Sequence, residues 1–103
     1  MNKPILSALQ FAVLDAIGAA RLKGSDLRER LRKIGFLKSG PAFYQLMARL
    51  EESRFITAET ESTPMQGFML KERFYRLTGE GDKALRDTIG FYQSSAFASI
   101  YAS

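Results

Sequence analysis

"SGPAFYQLMARLEESRFI", residues 39–56, decides how the rest of the chain is read. Ser39 or Gly40 opens a helix, and Pro41 falls in its first turn, where a missing N–H costs nothing. Phe43, Leu46, Met47 and Leu50 recur at helical spacing and form an inward face. Ala42, Gln45, Ala48, Arg49 and Glu52 point away. The first exposed positions are small or amide-bearing, which leaves room for close approach to another surface. After Arg54 the pattern turns strand-like.

Two helices precede this one. Ser7 and Gln10 fit a capping box, and Leu6 with Phe11 fits a hydrophobic staple. Leu9, Val13 and Ile17 then make one buried stripe that leaves out Asp15, and Gly18 marks the fraying end. A second helix follows Gly24, with Ser25 as N-cap, Asp26 well placed for the helix dipole, and Leu27, Leu31 and Ile34 as its core face. Gly35 suits the position just past its end. The connection "FLKSG" is short enough to force the two helices to cross, with Phe36 and Leu37 plugging the crossing.

After residue 55, Ile56, Ala58 and Thr60 alternate with Thr57, Glu59 and Glu61. Arg73, Tyr75 and Leu77 alternate with Glu72, Phe74 and Arg76. Both runs read as strands, with Pro64 and Gly67 in a long, turn-rich link between them. Thr78 caps a last helix, on which Leu85, Ile89, Tyr92, Ala96 and Ile100 recur at spacings of three and four. Phe91, Phe97 and Tyr101 widen that face beyond the needs of one small core. Gly79, Gly81 and Gly90 weaken this helix intrinsically, so packing must stabilise it.

Composition narrows the function. The chain has 103 residues, enough for one modest core. It has no Cys and no His, hence no disulfide, no thiolate or imidazole for a transition metal, and no imidazole base. Glu51–Glu52 and Glu59/Glu61 are carboxylate-rich, but no nucleophile, metal-ligand set or Gly-rich phosphate loop accompanies them. No catalytic, metal or cofactor site is expected, and the chain does not read as an enzyme. The first twenty residues resemble a signal peptide superficially. Gln10 and Asp15 interrupt the apolar run, and no segment reaches the roughly 20 apolar residues of a membrane span.

The formal net charge is +4. Residues 21–54 carry nine basic groups against four acidic ones, a net +5, and the remainder carries six against seven, a net −1. A basic concentration of this kind suits a polyanion such as nucleic acid; the plainer reading is a solvated helix surface.

Three helices followed by a hairpin is the winged-helix order, in which the third helix enters a DNA major groove and the hairpin lies beside it. The fold class expected is mainly α with a small β-hairpin. It is a winged helix-turn-helix with three helices, a two-stranded wing and a C-terminal dimerisation helix. Residues 1–78 form the winged-helix part and 79–103 the last helix, within one compact domain. The residues "YQLMARLEESRFITAETE" and "ERFYRLTGEGDKAL" resemble the PadR-like transcriptional regulators over about residues 5 to 90. The positions that carry the resemblance are Tyr44, Met47, Leu50, Glu51, Phe55, Ile56, Tyr75, Leu77, Thr78 and Gly81. Arg54 stands where that family usually has Gly, so the helix end there must close without an easy left-handed residue. The single helix after the wing is similar to the compact subgroup of the family.

The resemblance implies a homodimeric, sequence-specific regulator of double-stranded DNA, a cytoplasmic repressor acting by operator occlusion. Tyr44 is implied as a phosphate or sugar contact, or else half-buried packing. Gln45 and Arg49, exposed and one turn apart, suit adenine and guanine edges. Lys38 and Ser39 sit at a helix N-terminus, a natural phosphate site, and Ala42 lies just inside it. Lys71 and Arg73 are the wing candidates for the backbone, although Arg73, in phase with Tyr75, is also placed to lie under aromatic rings. Leu85, Ile89, Tyr92, Ala96 and Ile100 are the dimerisation candidates, the alternative being a helix packed within its own chain. Some relatives bind a small flat aromatic effector between dimer halves, often with a Trp; this chain has none, but Phe and Tyr of the last helix can line such a cavity. The tip "PMQGFML" is apolar where a DNA wing is usually basic. A protein contact, or folding of the tip back onto the domain, accounts for this better than DNA does, and the competing class is a winged helix serving as a protein-interaction module through Met65, Phe68, Met69 and Leu70.

Overall fold

The computed structural model describes residues 6–36 and 39–94. Element order is α1 (Ala8–Ile17), β1 (Leu22–Lys23), α2 (Gly24–Lys33), α3 (Gly40–Glu52), β2 (Ile56–Met65), β3 (Phe68–Leu77) and α4 (Gly79–Tyr92). The strands form an antiparallel sheet in the order β1-β3-β2. This is a winged helix with one more strand than the sequence suggests. β1 is two residues long, too short for any alternation to announce it, and pairs Leu22 with Tyr75 and Lys23 with Phe74.

Helix termini follow local chemistry, with one exception. At α1 the Ser7 hydroxyl accepts from the Gln10 N–H and the Gln10 side chain accepts from the Ser7 N–H, which satisfies two end donors reciprocally. At α3 Ser39 accepts from the Ala42 N–H at 3.2 Å, and at α4 Thr78 accepts from the Gly81 N–H at 2.9 Å. α2 departs from expectation: Lys23 is its N-cap, makes no side-chain cap bond, and puts Ser25 inside the first turn. Pairing of Lys23 in β1 fixes the extended conformation that the cap needs, so strand geometry displaces the Ser25 cap.

The helix ends are equally specific. Gly35, at φ 79°, closes α2, with Phe36 N–H reaching the Leu31 carbonyl and Gly35 N–H that of Arg32. The same double bond pattern closes α3, from Phe55 to Leu50 and from Arg54 to Glu51. There the left-handed residue is Arg54, at φ 62°. An L residue gives up about 1 kcal/mol in that conformation. Thr78, whose hydroxyl donates to the Arg54 carbonyl at 2.6 Å, helps hold it there.

The core gathers Val13, Leu14 and Ile17 of α1, Leu27 and Leu31 of α2, Phe43, Met47 and Leu50 of α3, Ile56 and Tyr75 of the sheet, and Ala84 and Leu85 of α4. Thr88 is the buried polar residue among those described. Its hydroxyl accepts from the Leu6 N–H at 3.2 Å and donates to the Ala84 carbonyl at 2.8 Å, tying the segment before α1 to α4. α4 therefore shares the core of the residues before it.

Three packing expectations are corrected. Ile34, expected in the core, is 59% exposed, because Gly35 turns the chain away at that point. Phe36 is also exposed and plugs no helix crossing; its expected companion Leu37 lies outside the described residues. The link between the strands is not long: β2 and β3 pair over ten residues each, from Ile56 with Leu77 to Met65 with Phe68. Pro64 is paired opposite Met69, on an edge strand, where a residue lacking an N–H is tolerated. Only Gln66 and Gly67 remain as the turn, with Gly67 at φ 81°.

Where α3 ends and α4 begins, the Thr78 N–H donates to the Phe55 carbonyl at 3.0 Å. A Cβ at Gly81 would stand 2.9 Å from that carbonyl carbon and closer still to its oxygen. Backbone on both sides leaves little to yield. Gly81→Ala is expected to lower unfolding stability by roughly 2–3 kcal/mol, the upper part of the overpacking range. Urea denaturation checks this, and a loss below about 0.5 kcal/mol, the scale of a neutral surface change, contradicts the close approach.

Candidate nucleic-acid interface

α3 presents its outer face to solvent along its whole length. Ala42, Tyr44, Gln45, Ala48 and Arg49 are exposed, while Phe43, Met47 and Leu50 anchor the opposite side. Tyr44 is 57% exposed, with its ring edge-on to Phe43 at 5.5 Å. It is therefore available at the surface rather than half-buried. Arg49 makes no ion pair with any described residue and stands one turn from Gln45. Ser39 spends its hydroxyl on the helix cap and remains exposed beside it. Lys38 lies outside the described residues.

A cleft of about 420 Å³ separates the start of α3 from the wing. Lys23, Gly24 and Ser25 at the α2 N-terminus, Arg28, Tyr44 and the wing residues Leu70, Lys71, Glu72 and Arg73 border it. Tyr75 and Phe43 form its floor, with ring centroids 6.3 Å apart and planes nearly perpendicular. Arg28 was not singled out in the sequence. Its guanidinium lies 5.8 Å from the Phe43 ring and 5.9 Å from the Tyr44 ring, beside Gly40 at the α3 start. Its phase, one residue after buried Leu27, gave the only available signal. The uncapped N–H groups of α2 face the same cleft and favour an anion there.

Strand register sorts the charges of the wing. Paired residues share a face, so Ala58, Thr60, Ser62, Pro64, Met69, Lys71, Arg73 and Tyr75 form one side. That side turns toward α3, because Tyr75 is buried against Phe43 and Arg73 reaches Glu51 at 3.3 Å. It carries no carboxylate. Glu59, Glu61 and Glu72 all lie on the other side, where Arg21 pairs with Glu59 and Glu61, and Lys23 pairs with Glu72 at 3.3 Å. Arg21 also covers the Phe74 ring at 4.1 Å, and its hydrogen bond to Glu61 raises its pKa above the ordinary guanidinium value.

The basic run of the sequence is therefore divided. Arg30 donates to the Ala16 carbonyl at 2.9 Å and closes the end of α1, and Arg32 pairs with Glu29. Arg21 and Lys23 neutralise the outer side of the wing. Arg28, Arg49 and Lys71 remain toward α3 and the cleft without an ion pair among the described residues. Arg73 is committed in part: besides Glu51, it lies 5.7 Å from the Tyr75 ring. Burial raises the Tyr75 phenol pKa, with the Arg73 charge opposing, so the ring stays neutral under the cleft.

The dimerisation candidates divide as well. Leu85 is buried in its own chain's core and is not on offer to a second copy. It occupies the inward stripe of α4 with Gly81, Ala84 and Thr88, where the sequence pattern placed it on the outer one. Ile89 is partly buried against the core, Tyr92 is 46% exposed, and Ala96 and Ile100 lie outside the described residues. A second cleft, of about 500 Å³ and mostly apolar, runs between α1 and Tyr92, lined by Leu6, Phe11, Ala12, Ile34 and Phe36. No three His, Cys, Asp or Glu side chains gather to hold a metal among the described residues, and no helix there is long and apolar enough to cross a membrane.

Solved structures share this architecture. A PadR-like transcription factor from Bacteroides fragilis superposes with a TM-score of 0.73 at 18% identity, covering 92% of this chain and 89% of the other. A PadR family transcription regulator from Clostridium difficile gives 0.74 at 13% identity, over 94% and 100%. PadR of Bacillus subtilis, solved in complex with operator DNA, gives 0.63 at 27% identity over 81% of this chain; the match spans 47% of the Bacillus chain. No protein-family model and no curated protein matches the sequence. The chain has the fold of the PadR-like transcriptional regulators.

Proposed function

We propose that this PadR-like chain is a sequence-specific DNA-binding transcription regulator rather than an enzyme, and that it acts in the cytoplasm as a homodimer, repressing by covering its operator. The observation that carries the reading is the face made by α3, the α2 N-terminus and the carboxylate-free side of the wing strands, which no described residue covers. The Bacillus PadR bound to operator DNA supports duplex DNA as the partner.

The roles follow from position. Arg28, Lys71 and the α2 N-terminus neutralise phosphates, and Arg73 joins them by exchanging part of its Glu51 contact. Tyr44, standing out from the α3 start, reaches a phosphate or sugar. Ser39 and Lys38 would add to the backbone contacts at that end of the helix, and Ala42 allows the helix to come close. Gln45 and Arg49 read base edges, Gln45 toward adenine and Arg49 toward guanine.

Dimerisation uses a different surface, the cleft between α1 and Tyr92. Ile34, Phe36 and Tyr92 expose apolar area around the second cleft, and a twin subunit would cover it along with Ile89, Ala96 and Ile100. Pairing there leaves both α3 helices free to meet successive major grooves, roughly 34 Å apart. The same cleft would take a flat aromatic effector beside Phe11 and Tyr92.

Salt dependence tests the phosphate contacts. Affinity for duplex DNA is expected to fall about 100-fold or more between roughly 50 and 200 mM salt, and a shallow dependence contradicts the reading. Base readout has a separate test. Arg49→Ala is expected to cost about 1–3 kcal/mol on the preferred sequence and to flatten selectivity at one base pair. A uniform loss across unrelated duplexes would make Arg49 a phosphate contact instead.

A further inference from the structure

β1 ends long before the strand it pairs with. It holds β3 only at Tyr75 and Phe74, and α2 begins at Gly24, where a Cβ would stand 3.4 Å from the Arg73 carbonyl oxygen. β3 runs on to Phe68. On one side it is paired with β2 throughout; on the β1 side no described residue pairs with it from Glu72 to Phe68. The sheet's other open edge, that of β2, is interrupted by Pro64, which has no N–H to offer. The open part of β3 contains no proline.

The cleft between the wing and α3 lies along that open edge. Leu70, Lys71, Glu72 and Arg73, four consecutive residues, line it. Successive side chains of a strand point to opposite faces, so a cleft that touches all four meets the edge itself, backbone included. Alternate residues turn their N–H and C=O to the same side of a strand. The Arg73 carbonyl turns toward Gly24, so Lys71 and Met69 present theirs to the cleft. An extended segment continuing the line of β1, antiparallel to β3, would pair with both.

Charge indicates which segment fits. A residue opposite Lys71 shares the α3-facing side with Lys71 and Arg73 and looks across the cleft to Arg28. A carboxylate there meets three cations, of which Arg73 alone has an acidic partner among the described residues, Glu51. The next residue falls on the outer side opposite Leu70, which is exposed and apolar, and an apolar side chain suits it as a cross-strand neighbour.

We propose that the open edge of β3 is a docking site for an extended segment of a partner protein, added to the sheet antiparallel to β3, with an acidic residue against Lys71 and an apolar one against Leu70. Strand addition of this kind takes its affinity from main-chain hydrogen bonds and its selectivity from alternate side chains. Because the phosphate contacts proposed above share the cleft, such a partner displaces the operator. That consequence rests on the DNA-binding reading; the docking itself does not.

The test uses the full isotope-labelled chain and the end-capped hexapeptide Thr-Glu-Val-Thr-Val-Thr. Backbone amide shifts are expected from Phe68 to Arg73 and at Gly24, with a Kd of about 1 mM or tighter. Methylating the glutamate nitrogen, which faces Lys71, is expected to weaken binding about tenfold, whereas methylating the following valine nitrogen, which faces away, leaves it nearly unchanged. Lys71→Glu, at an exposed position, is expected to reject this peptide and to prefer one with lysine in place of the glutamate. Silence of the β3 amides, or equal binding of both methylated peptides, overturns the docking site. Shifts of the same amides with protein concentration alone would assign the edge to a second copy and overturn the partner. Duplex affinity is read separately, and peptide at about ten times its Kd is expected to lower it about tenfold. Bound peptide without that loss overturns the displacement. A chain that takes the peptide but no duplex overturns the DNA reading and leaves the docking site standing.

Discussion

Tyr75 is the residue on which the arrangement turns. It is almost fully buried, pairs with Leu22 and Ala58 across both neighbouring strands, and sets its ring against Phe43 of α3. Gly24 lies over it so closely that a Cβ there would come 3.2 Å from the ring. One side chain thus fixes the start of α2, the first turn of α3 and the root of the wing in relation to one another. An aromatic ring in a close-packed core tolerates little displacement. The floor of the cleft above it is therefore fixed by packing, and of the basic groups around it Arg73 is the one held in an ion pair, with Glu51.

Charge at this surface is set by topology more than by composition. The strands alternate in a register that sends every wing carboxylate to one side, and the β1 turn brings Arg21 and Lys23 to neutralise that side. What is left toward α3 is positive. Ion pairs so exposed contribute little to stability, so their consequence is mainly the sidedness of the field. Acidic groups are present on the functional side too: Glu51 pairs with Arg73, which lies beside the Tyr75 ring, and Glu52 is exposed at the end of α3.

Much of this was legible in the sequence. The capping box at Ser7, the caps at Ser39 and Thr78 and the buried stripe of α3 are local patterns, and local patterns survive folding. What could not be read was set by contacts distant in the chain. β1 exists because β3 offers it an edge, and Lys23 rather than Ser25 caps α2 for the same reason. Ile34 follows the helical phase of the core yet lies outside it, because the chain turns at Gly35. Leu85 was assigned to a partner because periodicity cannot tell a stripe facing its own core from one facing a second copy. Arg28 was hidden among arginines of identical chemistry, and only the crossing of α2 over the start of α3 distinguishes it.

The account stands on one claim: the duplex lies against α3, the α2 N-terminus and the carboxylate-free side of the wing. Titrating the isotope-labelled chain with duplex DNA and following its backbone amide resonances tests this most directly. The account predicts shifts concentrated at Ser25, Arg28, Ala42 to Arg49, Lys71 and Arg73, with Glu59 and Glu61 largely unmoved. Shifts confined to the α1–Tyr92 cleft or to the acidic side of the wing, with α3 silent, would contradict it.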